Sequence, residues 1–149
     1  MPDVSTLSMS DLRLAHRVLA EFFAEDPEPV PAWEEGDEAK LQTICECTEV
    51  GVFGVEKYPD LYWKAGKLFY STIKMHAFPN GNKRFALVLT LLLFSKNDQR
   101  LTTPVGVNTA TATDIAASDP QTRRGNPDAY ITVLADHFRE NSEPRLDSN

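Results

Sequence analysis

Residues 85–94 read Phe-Ala-Leu-Val-Leu-Thr-Leu-Leu-Leu-Phe, ten positions interrupted only by Thr90. A helix that is apolar nearly all round must be covered on every side, so this stretch asks for a domain built around it. It is too short to span a bilayer, which needs about 20 apolar residues. The turn before it, Pro79-Asn80-Gly81, breaks the chain. The pattern therefore predicts a buried central helix from about Asn82 to Ser95.

The other elements follow from their punctuation. Ser8 or Ser10 can cap a first helix whose apolar face is Leu12, Ala15, Leu19, Phe22 and Phe23, ending at Asp26-Pro27. Residues 27–37 hold three prolines and four acids and read as a loop, with Val30 to Trp33 as a short extended piece within it. A second helix is expected from Glu38 to Val50, with Leu41, Ile44, Cys45 and Thr48 inward. Asp60 can cap a third from Leu61 to Met75, whose inner stripe reads Leu61, Ala65, Leu68, Phe69, Thr72, Ile73 and then His76. Asn97-Asp98 is a turn, Thr102 to Ala117 is weakly helical, and residues 118–127 form a loop. Ala129 to Glu140 make a last amphipathic helix with Asp128 as its cap, and residues 141–149 are expected to fray. No stretch alternates as a strand should. The class is all-α, one domain over 1–149, with at most one small hairpin near residues 28–36.

The 149 residues carry a net charge of −7, which argues against general binding to nucleic acid or anionic membranes. Yet Lys57 to Arg100 holds eight basic residues and two acids. Positive charge gathered in the middle of an acidic chain suggests a local anion site. Cys45 and Cys47 are one residue apart, too close to bridge usefully and too few for zinc, so they read as free thiols in a reducing cytoplasm. The N-terminus lacks the cationic start of a secretory signal, and a cytoplasmic location is expected. His16 and His137 read as structural histidines, and Glu34, Glu35, Asp37 and Glu38 as solvated surface.

The segment from His76 to Arg84, His-Ala-Phe-Pro-Asn-Gly-Asn-Lys-Arg, carries the chemistry. One helix delivers a histidine, and the next begins with free N–H groups and the positive end of its dipole. Gly81 lets backbone approach a ligand closely, and Asn82 can cap the helix or hold a phosphate oxygen. Lys83 and Arg84 oppose the dipole, a conflict that a bound anion would remove.

These nine residues, with the helix leading into them, closely resemble the signature of the Fic/Doc family in the form of its Doc (death-on-curing) branch. The likeness is strong from about Tyr58 to Lys96. It implies a compact Fic-like helical domain in which His76 is the general base, taking a proton from a target hydroxyl as it attacks a nucleotide phosphate. It implies that Phe78 packs the loop into the core, and that Gly81, Asn82, Lys83 and Arg84 hold phosphates. ATP is the implied substrate and Mg²⁺ the implied cofactor. Where many relatives place an acid to hold that metal, this chain has Asn80, a weaker oxygen ligand. Members that transfer AMP usually carry glycine and a second arginine where this chain has Lys83 and Leu87. The Doc form goes with transfer of the γ-phosphate instead.

The resemblance thus implies a toxin of a toxin–antitoxin pair, phosphorylating a hydroxyl of a protein such as translation elongation factor Tu. AMP transfer with the same base, and a non-catalytic binding module on the same fold, stay open as alternatives. Relatives often carry an inhibitory Ser/Thr-x-x-x-Glu-Gly/Asn motif. Here Glu35-Gly36 and Glu140-Asn141 follow Pro31 and Asp136 at the key spacing, so neither fits, and a separate antitoxin is implied. The family's flap, which holds the target by strand addition, would correspond to Val30, Pro31, Ala32 and Trp33.

Overall fold

Three of the helices start where a side chain closes them. Ser8 caps α1 (Met9–Phe22): the Asp11 N–H donates to its Oγ at 3.2 Å, and the Ser8 N–H donates to Asp11 Oδ2 at 2.8 Å. Asp37 caps α2 (Glu38–Glu46) by accepting from the Lys40 N–H. Asp60 caps α3 (Leu61–Met75) by accepting from the Trp63 N–H at 2.8 Å. The computed structural model describes residues 4–27, 29–47, 60–102 and 127–145. It continues through α4 (Asn82–Lys96), β1 (Gln99–Leu101), α5 (Pro127–Glu140) and β2 (Ser142–Pro144). A single 3-10 turn, Trp33–Glu35, lies between α1 and α2. The expected elements at 48–50 and 102–117, including the inward position of Thr48, fall outside the described residues or at their edge.

The fold is the expected all-α class with one small antiparallel pair. One buried cluster draws on all five helices of the described residues, among them Leu12 of α1, Ile44 of α2, Phe69 of α3, Phe85 and Phe94 of α4 and Phe138 of α5. Helix α3 packs on α4 and α5, and α1 covers the other side of α4. Gly66 of α3 permits the close approach to α5, since a Cβ there would lie 3.1 Å from the Ile131 carbonyl oxygen. Helix α3, not α4, is the more completely covered. Nine of its residues between Lys64 and Ile73 are buried, whereas Leu91 of α4 is exposed. Polar residues in α3 concealed this: Thr72, for example, is buried because its hydroxyl donates to the Leu68 carbonyl one turn back. No helix among the described residues is long and apolar enough to cross a membrane.

Four sequence expectations are corrected. Helix α1 ends at Phe22, before Asp26-Pro27. Helix α5 begins at Pro127, a residue suited to a first helical position, so Asp128 lies inside it rather than capping it. The paired strands are β1 and β2, with Arg100 opposite Glu143, rather than a hairpin at 28–36. Residues 141–145 are therefore paired rather than frayed: the Thr102 N–H donates to the Asn141 carbonyl at 2.7 Å, and the Arg145 N–H to that of Asp98 at 2.9 Å. Cys45 and Cys47 are free thiols; that of Cys45 donates to the Leu7 carbonyl. Burial pushes the Cys47 thiol up, against the opposing pull of Ser71 and Lys67.

The segment before α1 is sewn to the end of α4. Lys96 Nζ donates to Asp11 Oδ2 at 2.7 Å and to the Thr6 carbonyl at 2.8 Å, and the Asn97 amide exchanges hydrogen bonds with the Ser5 backbone. Partial burial pushes the Asp11 carboxyl up, but Lys96 and the two Ser8 bonds outweigh it and hold it below its usual value. A carboxyl lowered in the folded state contributes stability that is present above its unfolded value, about 3.9. That stability is lost as pH falls through the lower folded value. Asp11→Asn is expected to cost about 1 kcal/mol at neutral pH, the usual size of a capping contribution. It should also flatten the acid side of the stability profile below about pH 4, read by urea denaturation at several pH values.

Candidate functional site

Helix α3 stops at Met75, and His76 takes a left-handed conformation, φ 53° and ψ 54°. The inward stripe ends there with it. His76 is exposed rather than turned into the core, which corrects the expectation drawn from helical spacing. The chain dips back at once. Ala77 and Phe78 are buried, Pro79 and Asn80 are exposed, and Gly81 starts α4 at φ 78°, ψ 5°, where a Cβ would be strained.

Phe78 fixes this turn to the core, as expected. It stacks on His16 at 5.4 Å and meets Phe85 edge-on at 5.4 Å and Trp33 at 6.0 Å. A Cβ on Gly36 would lie 2.6 Å from its ring, so only glycine fits there. His16 is structural and more buried than a surface helix position suggests. Its Nε2–H donates to the Pro31 carbonyl at 2.6 Å, which ties the 29–37 segment to α1. The Asp37 N–H donates to the Ala77 carbonyl at 2.8 Å, a second tie between that segment and the turn.

The N-terminus of α4 has no side-chain cap, in contrast to α1, α2 and α3. Asn82 is not its cap, because Gly81 holds that position. Asn82 is buried, and its amide bonds the Phe78 N–H, the Phe78 carbonyl and His76 Nδ1. The short side chain that suggested a cap closes the turn from inside. Uncapped N–H groups, the dipole of a 15-residue helix and the exposed Lys83 converge at this point, an arrangement that favours negative charge.

A cavity of about 700 Å³ opens there, lined by His76, Asn80, Gly81, Asn82, Lys83 and Arg84 of the turn, with Ile73, Lys74 and Pro79 beside them. All the motif residues singled out in the sequence except Phe78 thus share one cavity. Arg84 also leans the other way: its guanidinium stands 4.2 Å over the Phe23 ring and 4.0 Å from Asp26. Sequence reasoning missed Phe23 and Asp26 in this role, as well as Ile73 and Lys74. The latter two could have been found one turn before His76.

A second cavity of about 420 Å³ adjoins the first through Pro79 and Asn80, and is lined by Pro29, Val30, Pro31, Ala32 and Glu35. Val30 to Ala32 therefore stand beside the turn, though not as a strand. Trp33, the fourth residue of the expected flap, opens a 3-10 turn and packs inward, with the Arg13 guanidinium 4.9 Å from its ring. For a divalent cation, Asn80 offers one neutral oxygen, and no group of three or more His, Cys, Asp or Glu among the described residues could hold a metal. This donor set fits Mg²⁺ only where the ion keeps its waters and is held chiefly by the phosphates of a nucleotide.

No curated protein and no solved structure matches the chain. The Fic/DOC family does match, over residues 6–94, more than half of the sequence. That span runs from the residues sewn to the end of α4, through the His16–Phe78 packing, to the far end of the helix that carries Lys83. The turn lies inside it with all the packing that supports it, and the chain belongs to the Fic/DOC family.

Proposed function

We propose that this protein is a Doc-like phosphotransferase, which moves the γ-phosphate of ATP to a hydroxyl of a target protein. The observation that carries the reading is the pair of positions one turn apart at the start of α4. Lys83 is exposed and lines the cavity, while Leu87, where an AMP-transferring relative would carry a second arginine, is packed against the core. The cavity thus holds a cation at its mouth and lacks the second phosphate clamp.

In this reading the bond between the γ-phosphorus and the bridging oxygen breaks as the target oxygen bonds to phosphorus. The hydroxyl proton passes to His76, and ADP leaves. Lys83 and the free N–H groups of α4 take up the charge that develops on the phosphoryl oxygens. Mg²⁺, held through Asn80 and the phosphates, supplies further neutralisation when bound. A toxin role with a separate antitoxin, and an elongation factor as target, complete the proposal. Its support is that neither Glu-Gly/Asn pair of the sequence carries the inhibitory spacing, and that Glu35 is spent on its own turn, accepting from the Ala32 N–H at 2.8 Å.

The test is a pair of labelling reactions with lysate and Mg²⁺, one with α-labelled and one with γ-labelled ATP. Label from the γ position alone is the expected result, and the labelled band identifies the target. Label from the α position would make the enzyme an AMP transferase. Label from neither, with the protein folded, would leave a binding module.

A further inference from the structure

The Asn82 amide has only one orientation. Oδ1 accepts from the Phe78 N–H at 3.1 Å, and Nδ2 donates to the Phe78 carbonyl at 2.8 Å. Exchanging the two atoms would set donor against donor and acceptor against acceptor. One Nδ2 hydrogen remains, and His76 Nδ1 lies 3.2 Å away. An amide N–H only donates, so Nδ1 accepts. A neutral imidazole that accepts at Nδ1 carries its hydrogen on Nε2.

We infer that Asn82 is the positioning residue of His76, holding its hydrogen on Nε2 and its basic lone pair on Nδ1. The inference rests on the reading of His76 as the base. The nitrogen that receives the target's proton is then Nδ1. The arriving hydroxyl displaces the Asn82 N–H from it, the proton moves to Nδ1, and the oxygen attacks phosphorus. Nε2 keeps its hydrogen throughout, so the product is the imidazolium. Its Nδ1–H faces the Asn82 N–H, donor against donor, and the contact re-forms only when that proton is released to solvent. This role differs in kind from phosphate holding: before the target arrives, both amide hydrogens are engaged, one by the Phe78 carbonyl and one by His76 Nδ1.

Long-range ¹H–¹⁵N NMR of the unmodified protein, at a pH where the imidazole is neutral, tests this directly. The expected result is a hydrogen on Nε2, an accepting Nδ1, and a scalar coupling between Asn82 Nδ2 and His76 Nδ1. Asn82→Ala should lower kcat roughly tenfold to a hundredfold, the usual loss when a histidine's orienting partner is removed. The KM for ATP should stay within about twofold, whereas loss of a phosphate ligand would raise it.

Hydrogen on Nδ1 in the unmodified protein, or absence of the coupling, would overturn the inference. The coupling decides the matter even if a variant fails to fold. Transfer that survives His76→Ala would refute the base while leaving the hydrogen bond standing. A missing coupling with an inactive His76→Ala would refute only the role of Asn82.

Discussion

His76→Ala is expected to lower phosphoryl transfer by about 10²–10⁴-fold, the usual contribution of a positioned general base. The fold should survive. His76 is exposed, and the contact it loses is one hydrogen bond from Asn82, worth about 1 kcal/mol. A companion, His76→Gly, separates chemistry from backbone. Glycine accepts φ 53° freely, so this variant should unfold no earlier than the alanine one and be equally inactive. Labelling rates and thermal unfolding of both variants give the answer. Transfer that persists in a folded His76→Ala protein would remove the histidine from the reaction.

Phe78→Ala is expected to cost about 3–5 kcal/mol, the range for a buried aromatic cut back to a methyl. For a chain of this size that lowers the melting temperature by about 6–20 °C. The ring is 3% exposed and touches His16, Trp33 and Phe85, which belong to three different segments. Its removal leaves a cavity behind the turn that positions His76, so activity should fall with stability. Phe22→Ala is the control. That ring is 81% exposed, and its loss should change stability by no more than about 0.5 kcal/mol. A loss below about 1 kcal/mol for Phe78→Ala would mean that the turn is held by its hydrogen bonds alone.

Much of this frame was legible because it is written locally. Ser8 and Asp60 each stand immediately before an apolar period of 3.6, and each caps the helix it announces. His76, Phe78 and Lys83 could be placed around one turn because the motif fixes their order. What stayed hidden is non-local or ambiguous. Asn82 has the side chain of a cap, and only the folded turn shows its amide spent on Phe78 and His76. Strands of three residues are too short to show an alternation, so β1 and β2 left no trace in the pattern. Nor could the sequence say that Arg84 would lean on Phe23, which lies some sixty residues earlier and meets it only because α1 packs on α4.

The β1–β2 ladder sets how far relatives of this chain can differ in length. The chain leaves the end of α4 at Leu101 and returns beside it at Ser142, closing a stretch of about forty residues that includes α5. The entropy of closing such a loop grows only with the logarithm of its length, so doubling it costs about 0.6 kcal/mol. Helix α4 is about 22 Å long, and the turn that follows His76 sits at its other end. A change of length that keeps Gln99–Leu101 paired with Ser142–Pro144 therefore leaves the anchor, and the turn at the far end of α4, in place. The same tolerance does not extend to residues 29–37. There the His16–Pro31 and Asp37–Ala77 bonds fix the chain at both ends of a seven-residue span. One added residue would have to be taken up between those two bonds.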